Sequence, residues 1–458
     1  CNLRLRERAI CLACAHRTMC SDKEPNGNAA LTTETVGQAI RDEVVNVEVI
    51  DVHTHLLPPS HGKLMLWGID ELLTYHYLVS EYFMVAPGDL THEKFFAKSK
   101  SEQADLVWQG LFVERTPISE ACQGVVTTLY RLGLEKLVAE RDLKSIRAWF
   151  ENQSLEEHVE KIFRLAKVRY AVMTNIPYVE EEAKHWQAAE TKPFSSRLRT
   201  ALRIDNYLKG DWLSISSALK KEGLEESLDG AKEYLTKWAR IYKPEYMMAS
   251  TPHDWRYPDP PAAASMKPLV KAFAGFGASE LLEKVVVPVC EELSLPIALK
   301  LGAWRGMSPD LDPCCGGDGV ASADLASLQA LCAKFPKVKF LVTVLSRANQ
   351  HELTVVVQKT RNLHLYGCWW YCNNPSIIEE LTKMRTEMLG TAYTAQHSDC
   401  RVLEQLLYKW DHSRQIIAEA LVPYYVRLLR RGWRLTREEL RRDVQLLLGG
   451  SYEAFMAR

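Results

Sequence analysis

The chain has 458 residues, 47% hydrophobic and 25% charged, the balance of an ordinary globular protein and not of a disordered or fibrous one. Its 57 Lys plus Arg against 58 Asp plus Glu leave a net charge of −1, too weak a field to gather nucleic acid or an anionic membrane surface, so an anionic ligand has to be held by a few placed cations. No apolar run approaches the roughly 18 residues of a membrane span. Of the twelve cysteines, all but Cys1, Cys11, Cys14 and Cys20 are scattered through core-like segments, a pattern that suits a reducing cytoplasm better than a disulfide framework.

Residues 1–43 carry no sustained period and read as a disordered or processed tail. Cys11-x-x-Cys14 with His16 and Cys20 is too cramped for a zinc knot, and no second pair follows it. A β-branched run from Val44 to His55 reads as a buried strand with polar chemistry at its C-terminal end. Residues 64–165 then change to helical spacing, as in Leu143/Ile146/Phe150, and form a helical insertion. Beyond it, short apolar runs recur at Val168–Met173, Leu198–Ile204, Tyr246–Ala249, Ile297–Leu301, Phe340–Leu345, Leu363–Trp370 and Thr391–Ala395, with amphipathic segments between them. Counted with the first run, these alternating units predict an α/β fold of the (β/α)8 TIM-barrel type over 44–458, closed by helices after Leu403.

The sharpest local signal is His53-x-His55. Two residues apart on a strand, both imidazoles share a face with Asp51, and in a first barrel strand that face is the interior, where one divalent ion can bridge them. Gln396–Arg401 follows the eighth run, and first and last strands of a closed barrel are neighbours, so Asp399 is expected to complete the site; its bland alternative is a helix N-cap.

Together with His76-Tyr77, Trp369-Trp370 and Ser398-Asp399-Cys400-Arg401, the His53-x-His55 pair resembles the uronate (glucuronate) isomerases, a branch of the amidohydrolase superfamily, over most of residues 48–455. The resemblance implies metal ligands at His53, His55 and Asp399 and a substrate-holding arginine at Arg401. Thr200-Ala-Leu-Arg-Ile-Asp205 is similar to another family motif, which makes Arg203 the counterpart of a carboxylate-binding arginine. Where the family has a His-Ile-Gly-Ala-Leu-Arg run, this chain has Lys300-Leu-Gly-Ala-Trp-Arg305, an ammonium in place of an imidazole.

The implied activity is an aldose–ketose isomerisation of a hexuronate, glucuronate or galacturonate. Asp399, or His76, is expected to carry the proton, with Tyr77 as an oxyanion donor. Arg203, Arg401 and Lys300 are expected to bind substrate, Trp369 and Trp370 to offer an apolar platform, and a divalent metal, Zn²⁺ or alternatively Mn²⁺, to act as a Lewis acid. His61, His253 and His397 are secondary candidates. Two other readings stand beside this one, a metal-dependent hydrolase on the same barrel and a non-catalytic sugar-acid binder. The expected partner is a small sugar acid, not nucleic acid or a membrane; the expected location is cytoplasmic, and homo-oligomerisation is left open.

Overall fold

The computed structural model describes residues 30–188, 196–259 and 275–458. The Cys11/Cys14/His16/Cys20 reading lies outside these residues. Residues 36–43, expected to belong to a tail, are instead part of the fold. Val36–Asn46 is a helix whose apolar face (Val36, Ala39, Ile40, Val44) is buried, and its polar face is tied down by Arg41–Glu419 at 2.6 Å and by Glu43 with Arg437 at 2.8 Å. Val44 and Val45 therefore end a helix and do not open the strand. The first strand, β1, is only Val49–Asp51.

The strands that follow are β2 (Val168–Val172), β3 (Leu198–Arg199), β4 (Leu202–Arg203), β5 (Met247–Pro252), β6 (Ile297–Trp304), β7 (Gly319–Val320), β8 (Phe340–Val344) and β9 (Leu363–Leu365). They alternate with helices as the sequence predicts. Pairing is parallel in the order β1-β2-β3 and in the order β4-β5-β6-β8-β9, with β7 antiparallel on the end of β6. The expected single run Leu198–Ile204 serves both sheets, its first half against β2 and its second against β5. The chain just past β2 stitches the halves, with Asn175 N donating to Ala201 O at 2.9 Å and Arg203 N donating to Asn175 O at 2.9 Å.

The expected closed eight-stranded ladder is not continuous among the described residues. The eighth run pairs with β9 through a single bridge at Thr394. On its other side, Ala395 N donates to Leu447 O at 2.8 Å, so the C-terminal segment Leu446–Gly450 stands where β1 would pair. Gly449, at φ 126°, allows that approach, because an added Cβ would lie 2.5 Å from Ile50 Cβ. Above this wedge the two ends meet again: His55 N donates to Cys400 O at 2.7 Å, and Asp399 N to His53 O at 3.2 Å.

Alternate residues of the parallel runs point to one interior, where Ile50, Val52, Tyr170, Val172, Ala201, Tyr246, Met248, Ala298, Leu341 and Tyr366 form one buried cluster. Tyr452 and Phe455 of the last helix, Ser451–Met456, close its lower end. The opposite faces of the strands pack on the surrounding helices in the larger core.

Residues 64–165 are helical as expected, from Ile69–Leu73 to Leu155–Ala166. A fully buried pair docks this segment beside the site: His158 Nε2 lies 2.8 Å from Glu404 Oε1, and Glu404 Oε2 accepts from Gly68 N at 3.1 Å. Among the described residues no helix is long and apolar enough to cross a membrane.

Candidate active site

The site lies where the parallel strands end. Just past β1, His53 is fully buried, whereas the His55 side chain is 30% exposed and opens toward a cavity of about 160 Å³. Asp399 Oδ1 lies 3.0 Å from His53 Nε2 and 3.5 Å from His55 Nε2. The two imidazoles and the distant carboxylate thus converge, their candidate ligand atoms all within 4.8 Å of one another. Asp51 does not join them. Its Oδ1 accepts from Ser398 N at 2.9 Å and its Oδ2 from Trp410 Nε1 at 3.0 Å, so it fixes the loop that carries Asp399. Asp399 itself sits at φ 53°, a left-handed backbone that a non-glycine residue holds only where its surroundings enforce it.

Lys300, in the middle of β6 and 1% exposed, sends Nζ to 2.6 Å from His53 Nε2 and 2.9 Å from Asp399 Oδ1. Its ammonium also lies 4.7 Å from the centre of the Trp369 ring. Burial pulls the Lys300 pKa down to about 8 against the support of Asp399. For Asp399, burial favours the neutral acid, but the Lys300 ammonium beside it outweighs that and holds the carboxyl well below its usual range. Burial keeps His53 and His55 neutral, the latter at about 4. Two neutral imidazoles and an ionised carboxylate are a donor set that fits a divalent ion such as Zn²⁺.

The cavity wall brings together most of the residues predicted from sequence: His55, His76, Arg203, Lys300, Trp369, Trp370, Asp399 and Arg401. His76 is neutral because burial, and then Arg401, lower its pKa to about 3. Tyr77 is not on this wall. It packs behind, its ring tilted 4.3 Å from His76 and edge-on 5.1 Å from Tyr75, and Tyr75 lines the cavity in its place. The secondary histidines lie off the wall as well. His61 packs on His185 and Trp186, His253 against Trp304, and His397 is buried with its ring centroid 5.4 Å from His53.

Sequence reasoning assigned no role to Tyr75, Ser250, Arg305, Cys315 or Asp318, which complete the wall. The glycine-rich stretch around Asp318 supplies a carboxylate to Arg305, a pairing that only the fold shows. Arg203 is likewise paired, with Asp205 at 2.8 Å, and Asp205 in turn accepts from Ser250 N at 2.9 Å. Among the described residues, Arg401 has no carboxylate within ion-pair range. Of the cations on the wall, Lys300, Arg203 and Arg305 are paired with Asp399, Asp205 and Asp318, which leaves Arg401 as the wall cation available to an anionic group.

No protein-family model matches the chain, and no curated protein does. Solved structures do. A uronate isomerase from Bacillus halodurans C-125 is 40% identical, with a TM-score of 0.86, over 94% of this chain and 98% of that one. A uronate isomerase from Thermotoga maritima, 17% identical over 93% and 98% of the two chains (TM-score 0.72), and a glucuronate isomerase from Caulobacter crescentus, 13% identical over 95% and 97% (TM-score 0.68), share the fold. The architecture is therefore the α/β fold of those enzymes, and the identity shared with the first extends over nearly the whole of both chains. The chain belongs to the uronate isomerase family.

Proposed function

We propose that the chain interconverts a hexuronate, glucuronate or galacturonate, and its 2-keto form in the cavity between Asp399 and Arg401, on a scaffold equivalent to a closed (β/α)8 barrel. The observation that carries this reading is the charge balance of the wall. One cation is left without a carboxylate, and it is the guanidinium of Arg401, whose planar fork matches a carboxylate in bidentate fashion. A uronate supplies one carboxylate. Arg203 and Arg305, already paired, offer their remaining N–H groups to hydroxyl oxygens.

Aldose-to-ketose conversion moves the proton on C2 to C1 and the hydroxyl proton on O2 to O1. A carbon proton needs an ionised base held close to the substrate. Asp399 is that base, kept as a carboxylate by Lys300. Between the two transfers the substrate is an enediolate, and the Lys300 ammonium donates to the oxygen on which charge grows. Neutral His76, with one N–H and one lone pair, can pass the hydroxyl proton from O2 to O1, and Tyr75, which burial keeps protonated, donates beside it. Trp369 and Trp370 cover the sugar from the β9 side and exclude water. A divalent ion, Zn²⁺ or Mn²⁺, held by His53, His55 and Asp399 would supply Lewis-acid polarisation of a sugar oxygen when bound.

The test is a proton NMR time course of the purified protein with glucuronate and with galacturonate, with and without added Zn²⁺ or Mn²⁺. Appearance of the 2-keto sugar acid from at least one of them is expected. Release of an acid or amine from an ester and amide panel, with no keto sugar formed, would overturn the reading in favour of a hydrolase. Tight uronate binding without turnover would do so in favour of a binder.

A further inference from the structure

Lys300 stands on two of the three atoms that a metal ion would use. Its Nζ reaches His53 Nε2 at 2.6 Å and Asp399 Oδ1 at 2.9 Å, while His55 Nε2 lies 3.5 Å from the same carboxylate oxygen. The histidine contact decides the matter, because a neutral imidazole has a single acceptor lone pair, in the ring plane on its unprotonated nitrogen. An ammonium only donates, so at Nε2 the lone pair is spent on Lys300.

The other side of the ring agrees. The Thr174 hydroxyl gives its proton to Thr54 O at 2.9 Å, which leaves its oxygen to accept from His53 Nδ1 at 3.4 Å. The ring proton is thereby on Nδ1, and Nε2 is the free end that Lys300 takes. A metal at the usual Zn–N separation of about 2.0–2.1 Å needs that same lone pair. Both cannot hold it.

Nor is Lys300 a chance visitor. It leaves the centre of β6, between β5 and β8 and in register with Ser250 and Thr343, so its stem is fixed by backbone ladders on both sides. In that same position the ammonium also lies over the face of Trp369, 4.7 Å from the ring centre, which holds the head group inside the protein.

We infer that Lys300 is an internal cation that competes with a divalent ion for His53 and Asp399, so that a metal binds this chain only by displacing the Lys300 ammonium. This rests on reading His53, His55 and Asp399 as a cation site, and it adds that the site carries its own occupant. Metal affinity in this chain is then set by the length and charge of residue 300 as much as by the ligands themselves.

The experiment is Zn²⁺ binding to the full chain, measured by competition with a chromophoric chelator, for the wild type and for Lys300→Met. Zinc affinity should rise at least tenfold in the variant, with folding checked by circular dichroism. Equal affinity in the two proteins overturns the inference, and so does zinc bound by neither. Should Lys300→Met fail to fold, wild-type crystals soaked in millimolar Zn²⁺ decide. Anomalous density on the trio with Lys300 Nζ moved off His53 supports the inference; zinc there with both Lys300 contacts kept, or no zinc there, overturns it. None of these readouts needs turnover. A chain that isomerises no uronate would leave this result standing, and an affinity indifferent to Lys300 would leave the isomerase reading standing.

Discussion

Asp399 is asked to be ionised, aimed and close to the substrate at once, and each demand has a visible cause. Lys300 keeps it charged, Asp51 holds its loop through Ser398 N, and its left-handed backbone turns the carboxylate inward. Asp399→Asn keeps the shape and removes the base. The expected outcome is a kcat lowered by ~10²–10⁴-fold, read from the keto-sugar assay on protein whose fold is verified by circular dichroism. Near-normal turnover would mean that another group carries the carbon proton.

Arg401 is tested by a different quantity. A charge-assisted hydrogen bond contributes about 1.5–3 kcal/mol, so Arg401→Met should raise KM for the uronate by roughly 10–100-fold while binding of a neutral hexose control changes little. Equal effects on both sugars would remove Arg401 from the carboxylate end. His53, His55 and Asp399 were legible in the sequence because an H-x-H pair and a carboxylate after the last run have one meeting point in a ring of strands. Tyr75 was not. At the start of the helix His76–Phe83 its ring and that of Tyr77 are both within stacking distance of His76, and only packing decides which faces the cavity.

Among the elements, the strands β2 to β6, β8 and β9 match the predicted apolar runs, because a strand buried on both faces has no other way to read; the short β7 was expected as loop. The first run was misjudged at its start. Val44-Val45-Asn46 suits a helix as well as a strand, and the outcome is set by the packing of the helix Val36–Asn46 on the long C-terminal helix Gln405–Arg430, which no local pattern announces. The eighth run was expected as a full strand and contributes one bridge, since Leu447 takes the hydrogen bond of Ala395.

A buried histidine on β9 gives that end of the sheet a definite pH response. His364 Nε2 lies 3.0 Å from Thr394 Oγ1, and burial lowers its pKa to about 3. The unfolded chain, with an ordinary histidine near 6.5, binds the proton more readily between those values, so folding stability falls as pH drops through 6.5. His364→Gln should flatten the decline between pH 6.5 and 5 by up to about 1.4 kcal/mol per pH unit, measured by urea denaturation across that range. An unchanged slope would mean that the histidine finds a charged arrangement inside the fold.

For the molecule as a whole, two regions join the ends of the ring, and they differ in kind. At the upper end, His53–His55 and Asp399–Cys400 are tied by backbone bonds, so the same contacts that bring the two ends together also bring the site residues together. At the lower end, closure depends on Gly449 letting the C-terminal segment lie against Ile50. Gly449→Ala combines an unfavourable backbone with a Cβ that has no room, and should destabilise the protein by about 2 kcal/mol or more, visible as a lowered urea midpoint. No change at that site would show that the wedge between β1 and the eighth run is not needed. The sequence foretold the alternating α/β fold but not this wedge, because a glycine in a helical stretch such as Leu446–Gly450 does not reveal which backbone it will meet.

The central claim is that one cavity holds a hexuronate with its carboxylate at Arg401 and its reacting carbons at Asp399. The most direct measurement is a crystal structure of the Asp399→Asn protein with glucuronate or galacturonate bound. The predicted electron density places the sugar carboxylate on the Arg401 guanidinium, and C1 and C2 against the side chains at positions 300 and 399. A sugar bound outside this cavity, or reversed with its carboxylate on Lys300, would contradict the account.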